Sequence, residues 1–168
     1  HKRVLVTSSV PGEGKTTTAL NLAQSLSQMG KVLLIDADMR RPTANKVFGI
    51  DPASRPGLSQ YIAGESKISE CVRQLEGSNC FVIHAGQIPN NPLELLSSQK
   101  FSDALDSLGR AFDFIVIDCA PTLAVSDALV LSRLVDGVVY VVKCDDTPYQ
   151  AALSGIKRLR RVDAPLLG

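Results

Sequence analysis

The sequence predicts a doubly wound α/β fold with a mainly parallel sheet, and three features of the 168-residue chain predict it. Short, solidly apolar runs rich in β-branched residues recur without polar alternation, as strands covered on both faces do. Between them lie stretches with apolar residues at helical spacing. The two patterns alternate, which calls for βαβ units with helices on both sides of the sheet.

The first run is Val4-Leu5-Val6. Beyond a Gly-rich loop, Ala19, Leu22, Ala23, Leu26 and Met29 repeat as one helix face, with Gly30 placed to end the helix. Val32-Leu33-Leu34-Ile35 is the second strand and runs into Asp36-Ala37-Asp38. From about Thr43 to Gln74 the pattern is less regular and predicts two or three short helices. Phe81-Val82-Ile83 is the next strand. Asn91-Pro92-Leu93-Glu94 then marks a helix start, with Asn91 as N-cap, Pro92 first and Glu94 third. Leu93, Leu96, Phe101, Ala104, Leu105 and Leu108 extend that helix. Phe114-Ile115-Val116-Ile117 leads into Asp118, and Val138 to Val142 form the last strand.

The loop after the first strand carries the chemistry. Ser8-Ser9-Val10-Pro11-Gly12-Glu13-Gly14-Lys15-Thr16-Thr17 fits the phosphate-binding pattern G-x-x-x-x-G-K-S/T, except that Ser9 stands at the first Gly. Its strand-loop-helix setting is the one the pattern requires, which makes the fold a P-loop NTPase type. Pro11 to Thr17 would form the cradle, in which the backbone N–H groups of Gly12 to Thr17 and the helix dipole would hold an anion. Gly12 and Gly14 allow close backbone approach. Lys15 suits the β-phosphate of ATP or ADP and the γ-phosphate of ATP, and the Thr16 hydroxyl suits Mg²⁺.

Ligands of parallel sheets bind beyond the carboxyl ends of the strands. Asp36, Asp38 and Asp118 all follow apolar strands, so they are expected to meet the phosphates there. Asp118 reads as a Mg²⁺ carboxylate. Asp36 and Asp38 allow one acid on the metal and one acting as proton acceptor.

Net charge is +1, which gives no electrostatic footprint for nucleic acid, and Lys157 to Arg161 read as the wet face of a helix. The four cysteines have no C-x-x-C spacing and imply a reducing compartment rather than a disulfide framework. No apolar run approaches the roughly 20 residues of a membrane helix. One domain over residues 1–168 is expected. The chain enters a strand directly after His1-Lys2, without Met, and Pro165-Leu166-Leu167-Gly168 reads as the start of another strand, so it is expected to be cut at both ends.

These motifs together resemble the cytoplasmic domain of the bacterial tyrosine kinases of capsule and exopolysaccharide systems. Residues 8–17, 33–42 and 114–121 are similar to that family's Walker A, Walker A′ and Walker B motifs, with Asp36 to Pro42 the most specific part. Residues 57–64 and 91–96 resemble its connecting segments.

The resemblance implies an ATP-dependent autokinase acting on tyrosine and regulating polysaccharide polymerisation and export. Lys15 would contact the phosphates, and Thr16, Asp38 and Asp118 would hold Mg²⁺. Asp36 would be the base toward the tyrosine hydroxyl, and Arg40 would complete the site or form an ion pair beside it. It further implies a tyrosine-rich tail, from the same or a neighbouring subunit, as acceptor. A homo-oligomer, a membrane activator segment of the polysaccharide machinery, and a place at the inner face of the membrane also follow. The family's N-terminal oligomerisation helix, final strand and tail are not in these residues, and Cys119-Ala120 replaces its usual Thr/Ser-Pro. Two alternatives remain. The septum-positioning and partition ATPases place a second lysine where this chain has Val10, and a nucleotide-gated scaffold would use the same binding residues.

Overall fold

The computed structural model describes residues 2–43, 49, 51 and 55–168. In chain order the elements are β1 (Arg3–Ser8), α1 (Lys15–Leu26), β2 (Val32–Asp36), α2 (Leu58–Ala63), α3 (Ile68–Cys71), β3 (Arg73–Gln74) and β4 (Cys80–Ile83). There follow α4 (Pro92–Leu96), α5 (Gln99–Ala111), β5 (Phe114–Asp118), α6 (Asp127–Leu131), β6 (Gly137–Val141) and α7 (Tyr149–Arg160), with a short 3₁₀ turn at Ser132–Leu134.

The sheet order is β3-β4-β2-β5-β1-β6, and every pairing is parallel except β3 with β4. This is the predicted α/β architecture. β3, two exposed polar residues held antiparallel to Phe81 and Val82, carries no strand signal in the sequence. Pro165 to Gly168 lie beside β6. Val138 donates to the Pro165 carbonyl at 2.8 Å, and Leu167 donates back to Val138 at 2.9 Å.

Strand residues alternate between two apolar layers, as the period of two requires. Val6, Val32, Leu34 and Val116 meet Ala19 and Ala23 of α1 on one face. Leu5, Leu33, Ile35, Ile115 and Ile117 meet the other helices, through Leu58 and Ile62 of α2, Phe101 and Leu105 of α5, Leu131 of α6 and Leu159 of α7. Continuing the alternation, Asp36 and Asp118 belong to the face on which α1 begins. That register sets the site.

Two helix expectations are corrected. The helix expected over Leu93–Leu108 is two helices, because Ser98 adopts an extended conformation (ψ 148°) and its Oγ accepts from the Phe101 amide at 3.2 Å. The apolar spacing ran across the break because Leu96 and Phe101 enter the same core. Asn91 caps α4 as expected, accepting from Glu94 N at 3.4 Å. Ser98→Ala should therefore destabilise the protein by about 1 kcal/mol, read as a lower urea midpoint with unchanged slope.

Gly30 is the second correction. Helix α1 ends at Leu26, Met29 is exposed, and Gly30 is not in the left-handed region. It is required for space, since a Cβ there would lie 2.7 Å from Asp113 Oδ2, the atom that accepts from Lys31 N. Of the irregular segment after Thr43, α2 and α3 are the short helices found, while 44–48, 50 and 52–54 lie outside the described residues. The basic run at Lys157–Arg161 lies at the end of α7 with Lys157, Arg160 and Arg161 exposed.

Candidate active site

The loop between β1 and α1 turns on Gly12 (φ 87°) and Gly14 (φ 89°), left-handed conformations that favour glycine. A Cβ on either would meet nothing within 4 Å, so conformation demands glycine while the space above the loop stays open. Gly14 is the N-cap of α1 and no side chain caps that helix. The first-turn N–H groups, which have no intrahelical partner, are thus available to an anion at the positive end of the dipole.

Ser9, the departure from the pattern, has no positive φ; among described non-glycine residues only Asp145 and Asp163 do. Serine therefore fits without backbone strain. It is fully buried, and its Oγ accepts from the Tyr140 hydroxyl at 2.9 Å. Glu13 is turned back on the loop, accepting from Val10 N at 2.6 Å and from the Thr147 hydroxyl.

The three carboxylates converge at the start of α1. Asp36 and Asp118 are register partners across β2 and β5. Lys15 Nζ lies 2.9 Å from Asp38 Oδ2 and 3.6 Å from Asp118 Oδ1, and all three side chains are nearly inaccessible. Thr16 Oγ1 donates to Asp118 Oδ2 at 2.6 Å and lies 3.0 Å from Thr43 Oγ1. The backbone amides of Arg40 and Arg41 donate to Asp38 Oδ1 at 3.3 and 3.0 Å. Asp38 N donates to Asp36 Oδ1 at 3.1 Å.

Burial governs the electrostatics. It pushes the Asp36 carboxyl up to about 8, with Asp118 and Asp38 adding in the same direction. Burial also raises Asp118, against the pull of Lys15 and Thr16. For Lys15 burial alone would lower the pKa, but Asp118 and Asp38 together reverse this and hold it above its ordinary value. The Cys119 thiol, fully buried, is raised well above its ordinary value and stays protonated.

These residues open onto a cleft of about 520 Å³ lined by Pro11, Gly12, Gly14, Lys15, Thr16, Thr17, Asp38 and Arg40. Its remaining walls are Arg41, Thr43, Ala120, Pro121, Ala124 and Val125. Asp38 faces the cleft, and Asp36, with no exposed surface, lies beneath it. Arg40 binds Asp127 bidentately, at 3.0 Å through Nε and 3.1 Å through Nη2.

Asp118 Oδ1 is a buried oxygen beyond hydrogen-bond distance of any donor, facing the Lys15 ammonium at 3.6 Å. A carboxylate oxygen so placed, beside the Thr16 hydroxyl and an anion cradle, fits a hard divalent cation once Lys15 turns to phosphate. Thr16, Asp38 and Asp118 are the oxygen donors that would hold it, together with water and phosphate oxygens.

Sequence reasoning missed Asp127 and Tyr140. Asp127 is fully buried at the start of α6, and a carboxylate placed in an apolar helix was the signal that it needs a cation. Tyr140 lies within the last predicted strand, and nothing in that apolar run signals that its hydroxyl spans to the loop.

The AAA domain family model matches residues 2–163. Tyrosine-protein kinase YwqD of Bacillus subtilis (strain 168) is 38% identical over 168 residues, covering 99% of this chain and 70% of that protein. The crystal structure of the VpsO kinase domain superposes with a TM-score of 0.94 at 42% identity, over 98% of this chain and 81% of that one. The septum site-determining protein MinD of Pyrococcus horikoshii, at 23% identity and a TM-score of 0.81 over 99% of this chain and 68% of that one, shares the fold alone. With these relatives matched over nearly its whole length, the chain belongs to the bacterial tyrosine-protein kinases.

Proposed function

We propose that residues 1–168 form the catalytic domain of an ATP-dependent tyrosine autokinase that regulates capsule or exopolysaccharide polymerisation and export. The observation that carries this is the meeting of Lys15, Thr16, Asp38 and Asp118 at the head of α1, over the buried Asp36. The loop amides hold the phosphates of ATP, and Lys15 exchanges its carboxylate partners for phosphate oxygens. Thr16, Asp38 and Asp118 would hold Mg²⁺, which when bound would supply positive charge against the developing phosphate charge.

The acceptor tyrosine oxygen must approach the γ-phosphorus in line with the leaving group. Asp36 takes the phenolic proton, the oxygen–phosphorus bond forms, the bond to the β-phosphate oxygen breaks, and ADP leaves. Burial suits Asp36 to that task, because a base with pKa near the working pH combines availability with driving force. The Arg40–Asp127 pair holds the Asp38–Arg41 turn against α6.

The acceptor is a tyrosine-rich segment of the same or a neighbouring subunit in a homo-oligomer, at the inner face of the membrane beside a membrane activator of the polysaccharide machinery. Among the described residues no helix is long and apolar enough to cross a membrane. Val10 stands where the switch ATPases have a lysine, and the lack of that side chain favours the kinase reading.

Phosphate appearing on a supplied tyrosine-rich peptide, rather than as free phosphate, tests the proposal against both an ATPase and a scaffold. Within residues 1–168, Tyr140 is buried with its hydroxyl engaged and Tyr61 packs under Lys100, 5.1 Å from the ring centroid. Tyr149 is 73% exposed but fixed at the start of α7. The chain alone should place little phosphate on itself and much more on the added peptide. Stoichiometric phosphate on any of these three tyrosines, found by mass spectrometry, would refute the assignment of the acceptor.

A further inference from the structure

We infer that Tyr140 is a positioning residue for nucleotide binding, acting through Ser9 to hold the phosphate loop from behind. Its hydroxyl crosses from β6 to donate to Ser9 Oγ at 2.9 Å, and both residues are buried. The passage is built for it. A Cβ on Gly155 of α7 would lie 1.8 Å from the Tyr140 oxygen and 2.6 Å from Thr122 Oγ1, so glycine leaves the space through which the hydroxyl reaches the loop.

The backbone around Ser9 is tied from the same side. Thr122 donates to the Ser8 carbonyl through N at 2.8 Å and through Oγ1 at 3.0 Å, and Leu123 N donates to the Ser9 carbonyl at 3.1 Å. Those bonds fix the carbonyls of Ser8 and Ser9. Among the described residues, Tyr140 is the donor that reaches the Ser9 side chain. A serine at the first glycine position of the pattern thus has a use that glycine could not fill: it gives β6 a handle on the loop.

The cradle binds phosphate only when its amides point inward, and apparent affinity scales with the fraction of time that they do. Losing a buried neutral hydrogen bond should lower that fraction and weaken Mg-ADP binding about 3- to 10-fold. The inference rests on the nucleotide-binding part of the proposed function.

The test is a mutant cycle of Ser9→Ala, Tyr140→Phe and the double variant, with Mg-ADP affinity measured by titration calorimetry and melting temperature recorded beside it. Ser9→Ala is tolerated by the backbone because φ there is not positive. Each single variant should bind Mg-ADP about 3- to 10-fold more weakly, and the double variant no more weakly than the worse single one. Unchanged affinity in Tyr140→Phe, with or without a lower melting temperature, overturns the inference, as do losses that simply multiply. Should either variant fail to fold, Gly155→Ala, which crowds the Tyr140 hydroxyl, provides the affinity reading instead, with the same threshold. Failure of the unsubstituted chain to bind Mg-ADP would sink the nucleotide-binding reading itself, an outcome separable from normal binding that the variants leave unaltered.

Discussion

Lys15→Met lowers tyrosine phosphorylation of a supplied peptide by about 10²–10³-fold or more, the loss expected when a positioned cation facing developing phosphate charge is removed. The structure adds a second expected result. Lys15 lies against Asp38 and Asp118 in a site that water scarcely reaches, so it neutralises buried acids when no nucleotide is present. Taking one member from a buried ion pair destabilises by about 3–5 kcal/mol unless the charge left behind can be discharged. Here it can, because burial already raises Asp36 and Asp118. Ligand-free Lys15→Met should therefore melt well below the unsubstituted protein at pH 8, and the gap should narrow at pH 6 as the carboxyls take up protons. A pH-independent gap would show that Lys15 acts by packing alone, and full phosphorylation by a folded variant would remove it from the chemistry.

Sequence reasoning located the site through signals that are local. Gly12 and Gly14 are needed at the loop whatever packs around it, and an apolar run ending in Asp36 or Asp118 states both the strand and what stands at its end. Alternation of side chains then puts both acids on the face of α1. What escaped detection depends on residues distant in the chain. Asp127 meets Arg40 across 87 positions, and Tyr140 meets Ser9 across 131. Neither spacing leaves a periodic trace. The break between α4 and α5 was hidden differently: Ser98 is a good N-cap by type, but the apolar repeat on both sides of it continued into one core and outweighed the cap. Gly30 is needed for space rather than to end a helix, and the carboxylate that would crowd its Cβ belongs to Asp113, 83 positions away.

Asp36→Asn separates the base from the metal ligands. The amide keeps the shape of the side chain and can still accept from Asp38 N through its oxygen, so Mg-ADP affinity should stay within about an order of magnitude. Tyrosine transfer should fall about 10²–10⁴-fold, because general base catalysis acts in the chemical step. Asp38→Asn, altering an acid that faces the cleft and pairs with Lys15, should instead shift the Mg²⁺ dependence. The pH behaviour gives an independent reading. The Asp36 carboxyl is raised from 3.8 to about 8 in the folded protein, so the native state binds a proton there that the unfolded chain has released. That bound proton stabilises the fold at low pH, and the stabilisation is lost as pH rises between those two values. The ligand-free protein should accordingly lose melting temperature from pH 5 to pH 9, and Asp36→Asn should flatten the decline, since an amide has no proton to lose. Transfer by the unsubstituted enzyme should rise with pH over the upper part of the same window, as the base becomes available. Melting curves in chelator and initial rates of peptide phosphorylation, taken at matched pH values, read both effects. Nucleotide affinity lost in Asp36→Asn with turnover retained, or transfer lost only in Asp38→Asn, would exchange the roles of the two acids.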